Sequence, residues 1–453
     1  MSKLLIKNAA VVSMDPSIGE LPEGDVLIEN DKISAVGENL DADQAETIDA
    51  SNMILMPGFV DAHLHTWQTG IRGIAGNWSI MDYVRNMHAN LATMYTPEDT
   101  YLGNLIGSLN QINCGITSVL DWCHNNHTPA HSDAAVDGLE EAGIRALFCH
   151  GTPKPDPKDG AIPYGEILHP RHEIERLRKG RFSSDDRLVN LGMAIVGTDL
   201  STYEVAKHDM ELGREFDLIV SSHIWGGPNA KYPDGVNRMA DDGLLSAKFN
   251  VVHGNYLTDD QLQLLVDAGS TITVTPEIEL YMSHARPLTG RLRKIGMRPS
   301  LGVDIESGIS GDMFTVLRMA LQTQRMFDNL QGIEDGKKLE AVSITPFEAL
   351  QWATINGAYV LGLEDHIGSL TPGKQADLML IRADDLNLFP VHNPVEAVVF
   401  HANAGNVDTV LIAGKVVKQN GQLVYANLRQ KMDDLKASGE RLLSNSGVAL
   451  EAG

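Results

Sequence analysis

Chemistry is densest where apolar runs of this sequence stop on a polar side chain. The run Met56-Pro57-Gly58-Phe59-Val60-Asp61-Ala62-His63-Leu64-His65 reads as a short strand entered through a Pro-Gly break. Strand side chains alternate between faces, so His63 and His65 project to the same side, about 7 Å apart at the backbone. Two neutral imidazoles so placed can lean onto one metal ion; taken alone they suit the polar end of a strand equally well. Three later runs stop in the same way: Ile219-Val220-Ser221-Ser222-His223, Asn250-Val251-Val252-His253 and Leu301-Gly302-Val303-Asp304. Four such endings on separate strands are hard to explain by packing alone.

The elements that must position these residues follow from the pattern between them. Strand-like stretches recur at 116–121, 145–149, 188–195, 218–223, 250–253, 270–275 and 300–304, with helical stretches such as 97–113 in between. With the first strand they make eight βα units, which predicts an α/β fold: a (β/α)8 TIM barrel over 57–366 with its catalytic groups at the C-terminal strand ends. Short β patterns at 4–12, 25–29, 33–36 and 46–49 are too few for a sandwich, and the pattern returns at 368–381, 407–412 and 415–418. They predict one small β-sandwich domain built from both termini, 1–56 and 367–425. Residues 426–453 read as a polar helix and tail.

Composition narrows the partners. With 36 Lys and Arg against 60 Asp and Glu, the formal charge of −24 disfavours nucleic acid and anionic membrane. Cys114, Cys123 and Cys149 form no C-x-x-C pair and no disulfide framework, which fits a reducing cytoplasm. The first residues lack the apolar core of a signal peptide, and no stretch reaches the ~18 apolar residues of a spanning helix. A small-molecule substrate is the expected partner.

The quoted runs, together with Gly115-Ile116-Thr117-Ser118-Val119-Leu120-Asp121 and Gly373-Lys374-Gln375-Ala376-Asp377, resemble the amidohydrolase superfamily over about residues 1–425. The pattern is similar to its cytosine deaminase and triazine hydrolase (chlorohydrolase-like) branch, near hydrolases of phenylurea and thiocarbamate compounds. The resemblance implies one divalent metal per chain held by His63, His65, His223 and Asp304, with His253 beside the water it activates. Three imidazoles and a carboxylate suit Zn most naturally, and also Fe or Co. Asp304 would accept the water's proton while His253 orients the water or polarises a carbonyl. Two-metal relatives add a lysine on the fourth strand; 188–195 contains none, which implies a single ion.

Two departures bear on the reaction. Many deaminases of this branch carry a glutamate three residues after the fifth-strand histidine, where this chain has Gly226. After the seventh strand, Val274 stands where relatives have histidine, and Glu277 and Glu279 follow. If that segment is extended, both glutamates face the pocket and are candidates for proton transfer; the alternative is salt-bridged rim residues. Trp67, Gln68 and Trp225 adjoin the ligands in sequence, so at least one is expected to contact substrate, and His284, soon after the seventh strand, suits a substrate contact or a loop tie. Trp78 and Tyr83 suit packing within their own loop or a subunit interface, His124, His127 and His131 suit a solvated loop, and Asp61 and Asp121 suit loop ties.

The expected function is hydrolysis of a C–N bond in a small amide, urea, carbamate or cyclic amidine by metal-activated hydroxide. One alternative is an aminohydrolase (deaminase) of an aminated heterocycle using Glu277 or Glu279. The other is a metal-free oligomeric scaffold. A homo-oligomer is expected by analogy with the superfamily.

Overall fold

The computed structural model describes residues 2–282, 285–338 and 340–448. Two compact units make up the chain: Met1–Ala62 with Leu109–Val119 and Asp312–Ala426, and His63–Ser108 with Leu120–Gly311 and Asn427–Gly453.

The first unit carries a nine-stranded sheet from both ends of the sequence. Its N-terminal strands are β1 (Lys3–Val12), β2 (Glu20–Glu29), β3 (Lys32–Gly37), β4 (Glu46–Asp49) and β5 (Met53–Pro57). Eight parallel strands follow in the chain: β6 (Phe59–Leu64), β7 (Ile116–Cys123), β8 (Arg145–Gly151), β9 (Val189–Ile195), β10 (Val220–Ile224), β11 (Phe249–His253), β12 (Thr271–Val274) and β13 (Ser300–Leu301). The sheet is completed by β14 (Leu378–Arg382), β15 (Val407–Ile412), β16 (Lys415–Gln419) and β17 (Gln422–Leu423), in the order β17-β16-β15-β14-β5-β1-β2-β3 with β4 on β1. The seam is the antiparallel β5–β14 pair, Pro57 opposite Leu378 through Met53 opposite Arg382. Alternate apolar residues, among them Ile6, Val26, Leu55, Leu380 and Leu411, close on a buried core. Asn420 and Gly421 both have positive φ, which a two-residue turn matched to strand twist requires, and they join β16 to β17.

Strands β6 to β13 are hydrogen-bonded in sequence order. Apart from Asn190 they are buried throughout, as a parallel sheet covered on both faces demands. The ring closes where Asp304 N donates to His63 O and His65 N donates to Asp304 O, both at 2.8 Å. Gly302 permits that approach, because a Cβ there would lie 2.8 Å from both the Cβ and the carbonyl oxygen of His63. The (β/α)8 barrel with an additional sheet is therefore the observed architecture. The expected helix at 97–113 is present as Pro97–Asn113. The terminal helix Leu428–Ser446 is anchored by Ser438 and Arg441 on Asp99. Among the described residues no helix is long and apolar enough to cross a membrane.

Candidate metal centre and its cavity

Strand pleating places His63 and His65 on one face of β6, while β10 ends near His223 and the chain past β13 delivers Asp304. One ligand atom from each of these four buried residues lies within 4.8 Å of all the others. His63 Nε2 is 3.2 Å from His223 Nε2, and Asp304 Oδ1 is 3.3 Å and 3.4 Å from the Nε2 atoms of His63 and His65. Burial pushes the pKa of His63 and of His65 down to about 3, so both imidazoles are neutral at ordinary pH and offer lone pairs. The direction of the His65 lone pair is fixed: Nδ1 donates to the Trp122 carbonyl at 2.7 Å, which leaves Nε2 unprotonated toward Asp304. Three imidazole nitrogens and a carboxylate oxygen converging in this way fit a divalent ion.

His253 stands beside this group, Nε2 being 3.9 Å from Asp304 Oδ2. Its Nδ1 lies 3.3 Å from Glu279 Oε1 and 3.1 Å from Thr275 Oγ1, and Glu279 Oε1 also accepts from Thr275 N at 3.1 Å. His253 and Asp304 both hold the left-handed backbone region, at φ 75° and 78°. Neither is glycine, so each conformation costs roughly 1–3 kcal/mol, a pattern that gathers at functional sites.

A cavity of about 210 Å³ opens over the group. Ile80, Met81, Val84, Leu200, Ile278, Met282 and Ile305 make it largely apolar, and Tyr83, His88, His124, Lys154, Tyr164 and Trp225 supply polar atoms. Trp225 stacks on His253 with ring centroids 5.4 Å apart and 11° between planes. It is set there by Asp199, whose Oδ2 accepts from Trp225 N at 2.8 Å and Gly226 N at 2.9 Å. Burial raises the Asp199 pKa to about 6. Gly226 has φ +75°, and a Cβ there would fall 2.8 Å from Leu257, so the backbone has no place for an acidic side chain at this position.

Several expected placements change. The segment after β12 is a helix, Pro276–Tyr281, so residues two apart point in different directions rather than to one face. Glu279 is 1% exposed and lies behind His253, not in the cavity wall. Glu277 points elsewhere and accepts from Ser310 N at 3.1 Å and Ser310 Oγ at 2.7 Å. Trp67 is fully buried against Tyr95 and His124 and does not line the cavity. Gln68 does not line it either: its Nε2 donates to Tyr83 Oη at 2.6 Å and its Oε1 accepts from Ser307 Oγ at 2.7 Å, which braces Tyr83. Trp225 does line the cavity; His284 lies outside the described residues. Tyr83, expected to pack within its own loop or at a subunit interface, is in the wall. His124 and His131 are buried rather than solvated, and only His127 is exposed. Asp121 ties Asn104 Nδ2 at 2.7 Å and Thr66 N at 3.3 Å, and burial raises its pKa to about 7.

Sequence reasoning passed over Lys154, His88 and Asp199. Lys154 holds its Nζ 4.8 Å from the Trp122 ring centroid, and burial pushes its pKa down to about 8. The Pro-flanked Thr152-Pro153-Lys154-Pro155 was the available signal, since prolines on both sides stiffen the loop that presents the cation.

The profile of a family described as the amidohydrolase family matches residues 54–417. Among curated relatives, a 5-methylthioadenosine/S-adenosylhomocysteine deaminase of Caldicellulosiruptor saccharolyticus is 25% identical, covering 98% of this chain and 99% of the relative. A 5'-deoxyadenosine deaminase of Methanosarcina barkeri is 26% identical with the same coverage. Among solved structures, an adenosine deaminase from Xanthomonas campestris with bound zinc superposes at TM-score 0.83 and 22% identity over 98% of this chain and 99% of that one. An atrazine chlorohydrolase from Arthrobacter aurescens complexed with zinc does so at 0.85 and 20%, over 96% and 100%. The two structures establish the shared fold.

Proposed function

The chain belongs to the amidohydrolase family and is a metal-dependent hydrolase of carbon–nitrogen bonds; from that premise we propose that it cleaves the C–N bond of a small, largely apolar amide, urea, carbamate or cyclic amidine. The observation that carries this reading is the convergence of His63, His65, His223 and Asp304 at the floor of an apolar cavity, with His253 alongside. Zinc is the proposed ion, supported by the three-imidazole, one-carboxylate donor set and by the zinc in both solved neighbours. Held there, it supplies Lewis acidity that polarises a carbonyl-type oxygen and lowers the pKa of water.

The protein's own groups handle the protons. Asp304 Oδ2 is the base that receives the proton of the attacking water. His253 Nδ1–H is committed to Glu279, so its Nε2 faces Asp304 as a second acceptor and can take that proton onward. The Glu279 carboxylate stabilises the imidazolium so formed, and His253 then delivers the proton to the departing nitrogen. Glu279 acts through His253 and is a positioning residue. Trp225 and the aliphatic wall exclude water and hold an apolar substituent.

A second reading, ammonia release from an aminated heterocycle, is supported by the deaminase relatives that match nearly the whole chain. Its proton path would be Glu279 through His253, since Gly226 offers none. The experiment is a panel of N-aryl ureas, amides, carbamates and aminated heterocycles given to zinc-loaded enzyme, with ammonia and substituted amine quantified separately. Substituted amine supports the first reading and ammonia from a heterocycle the second. No turnover by protein carrying its full metal complement would overturn both.

A further inference from the structure

Beside the metal group the cavity wall holds a pair of hydrogen-bonded histidines, His88 and His124, with His124 packed on the ligand His65 at 4.5 Å between ring centroids. The chain of contacts that fixes them runs one way. The carbonyl of Trp122 can only accept, and His124 Nδ1 lies 3.3 Å from it, so Nδ1 is the protonated nitrogen of His124. A neutral imidazole protonated at Nδ1 has a bare lone pair at Nε2. That Nε2 is 3.3 Å from His88 Nδ1, so His88 Nδ1 donates, and its remaining nitrogen, Nε2, carries the lone pair. The same carbonyl receives His65 Nδ1–H, so one backbone oxygen sets the tautomer of a metal ligand and of the histidine packed beside it.

Tyr83 packs edge-on against the His88 ring, centroids 4.9 Å apart at 81°, which limits its rotation. Lys154, in the same wall, can only donate.

We propose that His88 is a specificity-determining residue whose Nε2 accepts a hydrogen bond from an N–H of the substrate, its direction imposed by the Trp122 carbonyl through His124. The substrate class is thereby narrowed to compounds that keep an N–H beside the carbon under attack, and fully N-alkylated analogues are discriminated against. This rests on the hydrolase reading only for the word substrate; the direction of the hydrogen bond and the preference for N–H ligands are properties of the cavity.

The test has two arms on zinc-loaded, full-length protein. In the first, nitrogen-15 spectra of ring-labelled histidines are assigned by loss of signals in His88→Gln. His88 is expected to show a protonated Nδ1 and a bare Nε2; a protonated Nε2 overturns the proposal. In the second, binding is measured by calorimetry for 1,1-dimethyl-3-phenylurea against its 3-methyl derivative, and for 4-aminopyrimidine against 4-(dimethylamino)pyrimidine. The N–H member of at least one pair should bind roughly tenfold more tightly, the scale of one buried hydrogen bond. His88→Asn, which keeps a donor for His124 but places nothing at Nε2, should erase that preference, and His88→Gln, whose amide oxygen reaches the Nε2 position, should keep it. Equal binding within both pairs, no binding by either N–H member, or a preference that survives His88→Asn overturns the proposal. Binding without turnover would count against the hydrolase reading and leave this one standing.

Discussion

Two histidines, His253 and His88, line the same cavity and differ in what stands behind them. His253 is backed by the carboxylate of Glu279, whereas His88 is backed by His124 and, through it, by the backbone carbonyl of Trp122. A carboxylate stabilises a protonated imidazole more strongly than a neutral backbone carbonyl does. In the proposed roles the His253–Glu279 pair exchanges protons and the His88–His124 pair holds one hydrogen-bonding direction, the difference lying in the last group of each chain.

The division can be broken by substitutions of decreasing severity. Asp304→Asn removes the base that His253 faces and weakens one metal ligand; kcat should fall about a thousandfold or more, the scale of losing several kcal/mol of transition-state stabilisation. Steady-state kinetics on metal-quantified protein checks it, and near-normal kcat would remove Asp304 from the proton path. Glu279→Gln should keep the metal and cost roughly a hundredfold in kcat, a general acid–base magnitude. Loss of the negative partner lowers the pKa of His253, so the limb of the pH–rate profile that reports its protonated form should move to lower pH. An unmoved limb would mean that Glu279 is merely packed there. His124→Ala should raise KM roughly tenfold with kcat and both pH limbs little changed; a shifted limb would show that the second pair also carries protons. Glu277→Gln is the control on the same helix. With its carboxylate on Ser310, the effect on kcat/KM should be under about threefold, and a large loss would bring that residue back to the chemistry.

Much of this arrangement was legible in the sequence. The barrel strands announce themselves as apolar runs between turns, and the period of two put His63 and His65 on one face. The polar strand endings at His223, His253 and Asp304 were legible because a buried apolar run has no packing reason to stop on a ligand. What failed was conformation set from a distance. The one-face placement of Glu277 and Glu279 was conditional on an extended segment, yet Pro276 at the first helical position with both glutamates in the first turn is a helix start, and that separates them. Gln68 was placed by adjacency to His65, although a neighbour in sequence on a short helical turn faces away from the ligand. His88 and Lys154 come from long loops whose paths depend on packing against the rest of the barrel mouth, and no local period encodes that. His124 carried a signal that went unused: it follows Trp122 at the same spacing as His65 follows His63.

The most direct test of the central claim is metal per chain, by elemental analysis, for zinc-reconstituted wild type, His63→Ala and His223→Ala after removal of unbound ion. One zinc per wild-type chain, lost from both variants while they remain folded by circular dichroism, is the predicted result. Wild type that retains no zinc, or variants that keep it in full, would contradict a single metal centre built on His63, His65, His223 and Asp304.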